Sequence, residues 1–391
     1  MGPSDPLYYP YPSRRAVTYA RQGMVATSQP HAAQAGLEII KKGGNAVDAA
    51  IAAAACLTVV EPTSNGIGSD AFALVWFKGK LQGLNASGPA PRSISAEKLK
   101  KAGFDEMPKY GFISVTVPGA PGAWAECSRR FGALPLTEVL APAITYARKG
   151  YPLSPTLAKY WQAAFNIYRL NLRGEEFKPW FETFAPQGRA PQASEMWRSE
   201  AHAQTLEEIA ETNAKSFYRG RLAAEIDRYS RQHGGYIRGE DLADFQPEWV
   251  EPISVNYRGY DVWEIPPNGQ GLVALMALNI LQGFAFSHRD DELTFHRQIE
   301  AIKLAFADGQ KYITDSRTLS VAPGELLSEQ YAAQRRLLIG SEAAQPQAGT
   351  PPQGGTVYLA TADGDGNMVS YIQSNYMGFG SGLVVPGTGI A

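Results

Sequence analysis

The chain has 391 residues, 44% of them apolar and 19% charged, with 36 basic against 38 acidic side chains and a formal net charge of −2. That length suits one large core or two modest domains, and the balanced charge excludes the one-signed field that a nucleic-acid or anionic-membrane binder needs. Cys56 and Cys127, the two cysteines, exclude a disulfide framework and offer no zinc spacing; one disulfide stays open, but two buried thiols fit better.

The opening MGPSDPLYYPYPSRRAV carries proline and charge where a secretory leader needs an apolar run, so a cytoplasmic protein is expected. SQPHAAQAGLEIIKKGG reads as a helix stopped by Gly43 and Gly44. A second helix follows at once. Asn45 is its N-cap with Asp48 three residues on, AVDAAIAAAACLTVV is apolar nearly all round, and Pro62 ends it. Such a helix must be buried on most sides, and its alanines let neighbours approach closely. Next, 71–77 is β-prone, Gly79 marks a turn and 81–84 begins a return strand. Gly66 and Gly68 precede this hairpin without the third glycine and helix of a dinucleotide fingerprint, so close packing is the better reading.

The middle, 115–340, alternates helical periods with turns. It includes PGAPGAWAECSRRFG, LAPAITYARKG, the run EEIAETNAKSFYRGRLAAEIDRYSRQHGG, and a helix over 293–312 with Ile299, Ile302 and Phe306 on an apolar face. YDVWEIPPNGQGLVALMALNIL reads as a strand, a corner and a buried helix. The longest mostly apolar runs, 49–60 and 271–286, fall short of the roughly 18 residues of a membrane span, so a soluble protein is expected. SEAAQPQAGTPPQGG, 341–355, has too few apolar groups to pack and is expected to be mobile. Period two then takes over: 356–362 and 368–373 form two strands joined at DGDGN. Helices followed by a sheet make an α+β protein.

The mobile segment ends in Gly354-Gly355 immediately before Thr356. An interior threonine hydroxyl is a poor nucleophile. Were the Gly355–Thr356 bond cut, Thr356 would gain an α-amine of pKa about 7.7–8.0, able to take the proton of its own hydroxyl. The cut can be self-inflicted, since glycine tolerates the twisted backbone that attack on its carbonyl requires. A loop entering a hairpin is the plainer reading of the same residues.

The wider sequence resembles the γ-glutamyltransferase family of the N-terminal nucleophile hydrolase class, including its acylases. The resemblance is carried by GMVATSQPHAAQAGLEIIKKGGNAVDAAIAAAACLTVVEPTSNGIG (23–68), SVTVPGAPGAW (114–124), PPNGQGLVALMALNIL (266–281), AIKLAFADGQKYITD (301–315) and GDGNMVSYIQSNYMGFGSG. It implies a four-layer αββα sandwich and a precursor cut into a large subunit, 1–355, and a small one beginning with 356–391. It implies Thr356 as nucleophile and Ser374, 18 positions later, as the hydroxyl that supports it. The implied reaction is acyl transfer from a γ-glutamyl or similar amide to water or an acceptor amine. No metal or other cofactor is called for, no nucleic acid or membrane partner is expected, and a homo-oligomer is left open. The oxyanion-hole glycines of the family fall beyond Ala391, and strands absent there would leave apolar sheet surface exposed.

Three positions depart from the family pattern. Ser87 stands where transpeptidases hold the donor's α-carboxylate with an arginine, and a hydroxyl cannot reproduce a bidentate guanidinium. Arg92 could substitute, although a solvated arginine is its simpler reading. Tyr376 occupies a usual asparagine position, with Asn375 beside it, and Asp70 replaces a glycine. Ser87, Asn375 and Tyr376 are therefore candidate substrate contacts with altered donor preference. The alternatives are an acylase for glutaryl-type side-chain amides, or a silent homologue or fragment. The five histidines show no metal spacing, and His31 is read as capping or packing.

Overall fold

A computed structural model of the chain describes residues 17–288, 290–346 and 357–391. Gly355 and Thr356 lie outside the described residues. Helix α1 (Pro30–Lys41) runs into α2 (Ala46–Val60), whose start is fixed as its sequence requires. The Asn45 side chain accepts from the amides of Val47 and Asp48, and the Asp48 carboxylate accepts from the Asn45 amide in return. Such caps contribute about 1 kcal/mol. All fifteen residues of α2 are buried, so its hydrophobicity on every side is matched by neighbours on every side.

The main sheet is antiparallel, in the order β1-β9-β10-β2-β3-β6. Its strands are β1 (Gly23–Thr27), β2 (Asp70–Phe77), β3 (Lys80–Ala86), β6 (Glu248–Val250), β9 (Val357–Asp363) and β10 (Met368–Ser374). The short pairs β4 (Tyr151–Pro152) with β5 (Met196–Trp197), and β7 (Ile253–Tyr257) with β8 (Tyr260–Glu264), stand apart. The 368–374 strand does not follow the helices as a separate sheet. The β9–β10 hairpin enters the middle of the sheet, β9 pairing with β1 and β10 with β2. Its turn is tied to α2: Asp363 accepts from the amides of Ala46, Asp365 and Asn367, and the Thr361 hydroxyl donates to the Ala46 carbonyl.

Alternate strand residues divide between two faces. Ala71, Ala73, Val75, Leu359, Val369 and Tyr371 are buried on the α2 face. Over the β3 edge of the opposite face, Ile265 at the end of the β7–β8 hairpin packs on Gly83. Behind that hairpin lie α3 (Gly271–Gln282) and α4 (Glu292–Tyr312), which completes the layer order helix, sheet, sheet, helix. Trp76, Tyr358, Met368 and Ile372 on the opposite face remain exposed, as do Phe295, Ile299, Ile302 and Phe306 along α4. Among the described residues, no helix is long and apolar enough to cross a membrane.

Two readings gain detail and a third changes. The helical run 207–235 is three helices, broken where Asn213 and Ala214 take positive φ of 48° and 61° and again at Gly220. Cys56 and Cys127 are free and buried, the two buried thiols expected rather than a disulfide. Part of the expected mobile segment is anchored: the Ala344 amide donates to the nearly buried Glu300 carboxylate, and the Lys303 ammonium donates to the Ala344 carbonyl. The rest of that segment, 347–355, lies outside the described residues.

Candidate active site

Strand register assembles the site. Ser374 at the end of β10 pairs with Asp70 at the start of β2, and Ala71 pairs with Ala86, so Ser87 follows one step on beside Asp70. By alternation Ser374, Asp70 and Ser87 share the face away from α2. On the other side of β10, Gln373 pairs with Val357, the residue covalently attached to Thr356.

A buried polar network pins this end of β10. The Gln373 Oε1 accepts from Trp124 Nε1 at 3.1 Å and from the Tyr371 hydroxyl at 3.2 Å, while its Nε2 donates to Asn65 Oδ1 at 3.0 Å. Buried polar groups that find such partners rigidify the strand they belong to. The start of β2 is held from the other side. The Ser69 carbonyl accepts from the amides of Gly119 and Ala120 at 3.0 and 2.8 Å, where the helix Ala120–Phe131 begins.

The candidate substrate contacts divide into two groups. Ser374, Asn375 and Tyr376 line one cavity of about 500 Å³, together with Asp70. The Ser374 hydroxyl accepts from the Tyr376 amide at 2.9 Å, and Tyr376 has φ 75° and is 53% exposed. The Asn375 carboxamide lies between the carbonyls of Ser64 and Gly378, its nitrogen 3.2 and 2.9 Å from them, so backbone carbonyls already occupy its donors. Ser87 is outside the cavity wall and joins a cluster with Asn268, whose Nδ2 donates to the Ser87 hydroxyl at 2.9 Å and whose Oδ1 accepts from Asn85 at 2.8 Å. Arg92 pairs at 2.7 Å with Asp244, both well exposed, as a surface arginine does.

Burial raises the Asp70 carboxyl to about 6, outweighing the hydrogen bond from its own amide. Relative to 3.8 in an unfolded chain, this destabilises the fold by up to about 3 kcal/mol at neutral pH. The native state holds the proton more tightly than the unfolded chain, so the penalty is complete above pH 6 and disappears below about 4. Asp70→Asn is therefore expected to raise the urea midpoint at pH 8, with the gain shrinking steadily as the pH falls to 4. An equal gain at both pH values would mean that the charge is not the cause.

Other expectations fall outside this site. His31 packs its ring against Tyr146 and Tyr151, and the described residues contain no His/Cys/Asp/Glu group that could hold a metal. Gly66 and Gly68 are packing glycines: a Cβ on Gly68 would stand 2.4 Å from the Ala391 carbonyl oxygen. Sequence reasoning noticed Asp70 without a role and missed Asn65, Asn268 and Gln373. A lone amide inside a strand or loop carries no local pattern that would mark it.

Two sheets between helical layers, the main one antiparallel, make up the fold of the N-terminal nucleophile hydrolase class. The sequence profile described as Gamma-glutamyltranspeptidase matches residues 32–391. The chain belongs to the gamma-glutamyltranspeptidase family. It is 35% identical to a glutathione hydrolase-like proenzyme of Bacillus subtilis, over 94% of this chain and 69% of that one. It is 34% identical to an oxamate amidohydrolase proenzyme of Klebsiella pneumoniae, over 94% and 70%. Among solved structures it superposes on a cephalosporin acylase from Bacillus halodurans with a TM-score of 0.94 and 64% identity, covering 99% of this chain and 72% of the other. Against Helicobacter pylori gamma-glutamyltranspeptidase the TM-score is 0.77 with 27% identity, over 86% and 95%.

Proposed function

We propose that the chain is a self-processing amide hydrolase in which scission of the Gly355–Thr356 bond frees Thr356 as the nucleophile and Ser374 supports its hydroxyl. The observation that supports this reading is the pairing of Val357, the residue after Thr356 in the chain, with Gln373, which precedes Ser374 on the strand end beside Asp70. In processing, the Thr356 hydroxyl attacks the Gly355 carbonyl, the peptide nitrogen leaves as the α-amine, and water hydrolyses the resulting ester. In turnover that amine accepts the hydroxyl proton as the oxygen attacks the substrate amide. The substrate's amine departs with a proton, and water or a second amine takes the acyl group. The proenzymes among the relatives support the self-processing part of this reading.

For the donor, we favour a side-chain amide of the acylase type. Ser87 offers no cation for an α-carboxylate, Arg92 is engaged by Asp244, and the relative with 64% identity is a cephalosporin acylase. A γ-glutamyl donor is the second reading, kept by the family itself. Comparing kcat/KM for a glutaryl anilide and a γ-glutamyl anilide separates the two. A preference of tenfold or more for the glutaryl compound is expected, and the reverse preference would overturn the acylase assignment.

A further inference from the structure

Beside Ser374 the cavity wall is mostly apolar, formed by Met107, Phe112, Val115, Ile226, Leu383 and Ile390 among others. Asp70 and Lys109 are its charged side chains. Asp70 reaches the cavity from the first residue of β2, whereas Lys109 comes from the loop that follows the helix 96–101. The titratable side chains that share the cavity with Asp70 are Lys109 on that loop, Tyr229 on the helix Arg221–Gln232 and Tyr376 after β10, and Tyr371 on β10 lies within electrostatic reach of it. The neighbouring end of β3, Ala86 followed by Ser87, carries no charge. Among the described residues no ion pair forms on Asp70, and burial rather than any cation sets its protonation.

We infer that Asp70 and the apolar cavity beside it form a subsite for an amine with an apolar body, Asp70 receiving the cationic nitrogen next to Ser374. A carboxylate drawn out of water without a counter-ion is unfavourable, and a ligand ammonium placed on it relieves that cost while the walls take up the hydrocarbon. In the acyl-transfer reading, on which this inference rests, such an amine is the group released from the amide, which becomes an ammonium as it takes up its proton. Its neighbours at the strand end, Ser374 and Asn375, carry no charge, and Lys109 stands on the separate loop, so at this end of the cavity Asp70 is the charged side chain.

Two isosteric probes, 4-phenylbutylamine and 4-phenylbutyrate, test this by titration calorimetry on the full chain. The amine is expected to bind at least tenfold more tightly than the acid at pH 8, where Asp70 is ionised. The advantage should fall to less than threefold at pH 5, below the Asp70 value of about 6, and Asp70→Asn should remove it at pH 8. Equal affinity of the two probes, no binding of the amine, or a preference that persists in Asp70→Asn would each overturn the subsite. The pH comparison on the unsubstituted chain decides the matter even if the variant folds poorly. Binding needs no turnover, so a chain that is never cut at Thr356 yet prefers the amine refutes the nucleophile and leaves the subsite standing.

Discussion

Thr356→Ala is expected to yield one uncut polypeptide of 42.4 kDa and to lower amide turnover by at least about a thousandfold. Both losses share a cause, because one hydroxyl performs the attack on Gly355 and the attack on substrate. Thr356→Ser keeps the hydroxyl and should retain cleavage and turnover at reduced rates. Intact-mass measurement together with anilide hydrolysis checks both variants. An alanine variant that stays whole and still hydrolyses amides at the original rate would remove Thr356 from the mechanism. An unsubstituted chain that remains whole after long incubation would favour a silent homologue.

Gly119→Ala is expected to cost about 3 kcal/mol or more of stability, which is at the upper end for overpacking. The backbone of Gly119, φ −107° and ψ −22°, is one that alanine adopts readily, so the cost is purely one of space. Its Cβ would stand 1.8 Å from the Ala86 carbonyl oxygen and 2.7 Å from the carbonyl carbon. Neither is the free end of a side chain. The end of β3 would have to move away from the start of the helix Ala120–Phe131, or the Gly119 and Ala120 amides would have to release Ser69. Since Ser69 precedes Asp70 and Ala86 precedes Ser87, kcat/KM should fall along with stability. Gly239→Ala, where a Cβ meets nothing within 4 Å, is the control, expected within about 0.5 kcal/mol of the parent. Urea unfolding of the two variants provides the test, and similar midpoints would show that β3 yields more easily than its packing suggests.

The elements that can be read locally were legible in the sequence. Asn45 and Asp48 announce the start of α2, its alanines announce burial, and DGDGN announces the β9–β10 turn. Each depends on residues within a few positions of one another. The place of the hairpin in the sheet was not legible, because β9 and β10 pair with β1 and β2 some 300 residues earlier, and antiparallel pairing leaves no local trace of its partner. The same reason hid Gln373, whose partners Trp124 and Asn65 come from distant segments. Ser374 was found through family spacing, whereas the meaning of Asp70 required knowing which strand lay beside it. The expectation of mobility after 341 overlooked Glu300 and Lys303, which are unexceptional helix residues until Ala344 is brought between them.

The placement of the β9–β10 hairpin also bears on what a cut before residue 356 would do. A fragment starting there donates two inner strands to a sheet whose flanking strands belong to the other fragment, with Thr361 and Asp363 bonded to the first turn of α2. The halves therefore have no separable interface: parting them means dismantling the sheet and uncapping the central helix together. Such a heterodimer should migrate as two bands in detergent yet elute as one species under native conditions, and dilution alone should never dissociate it.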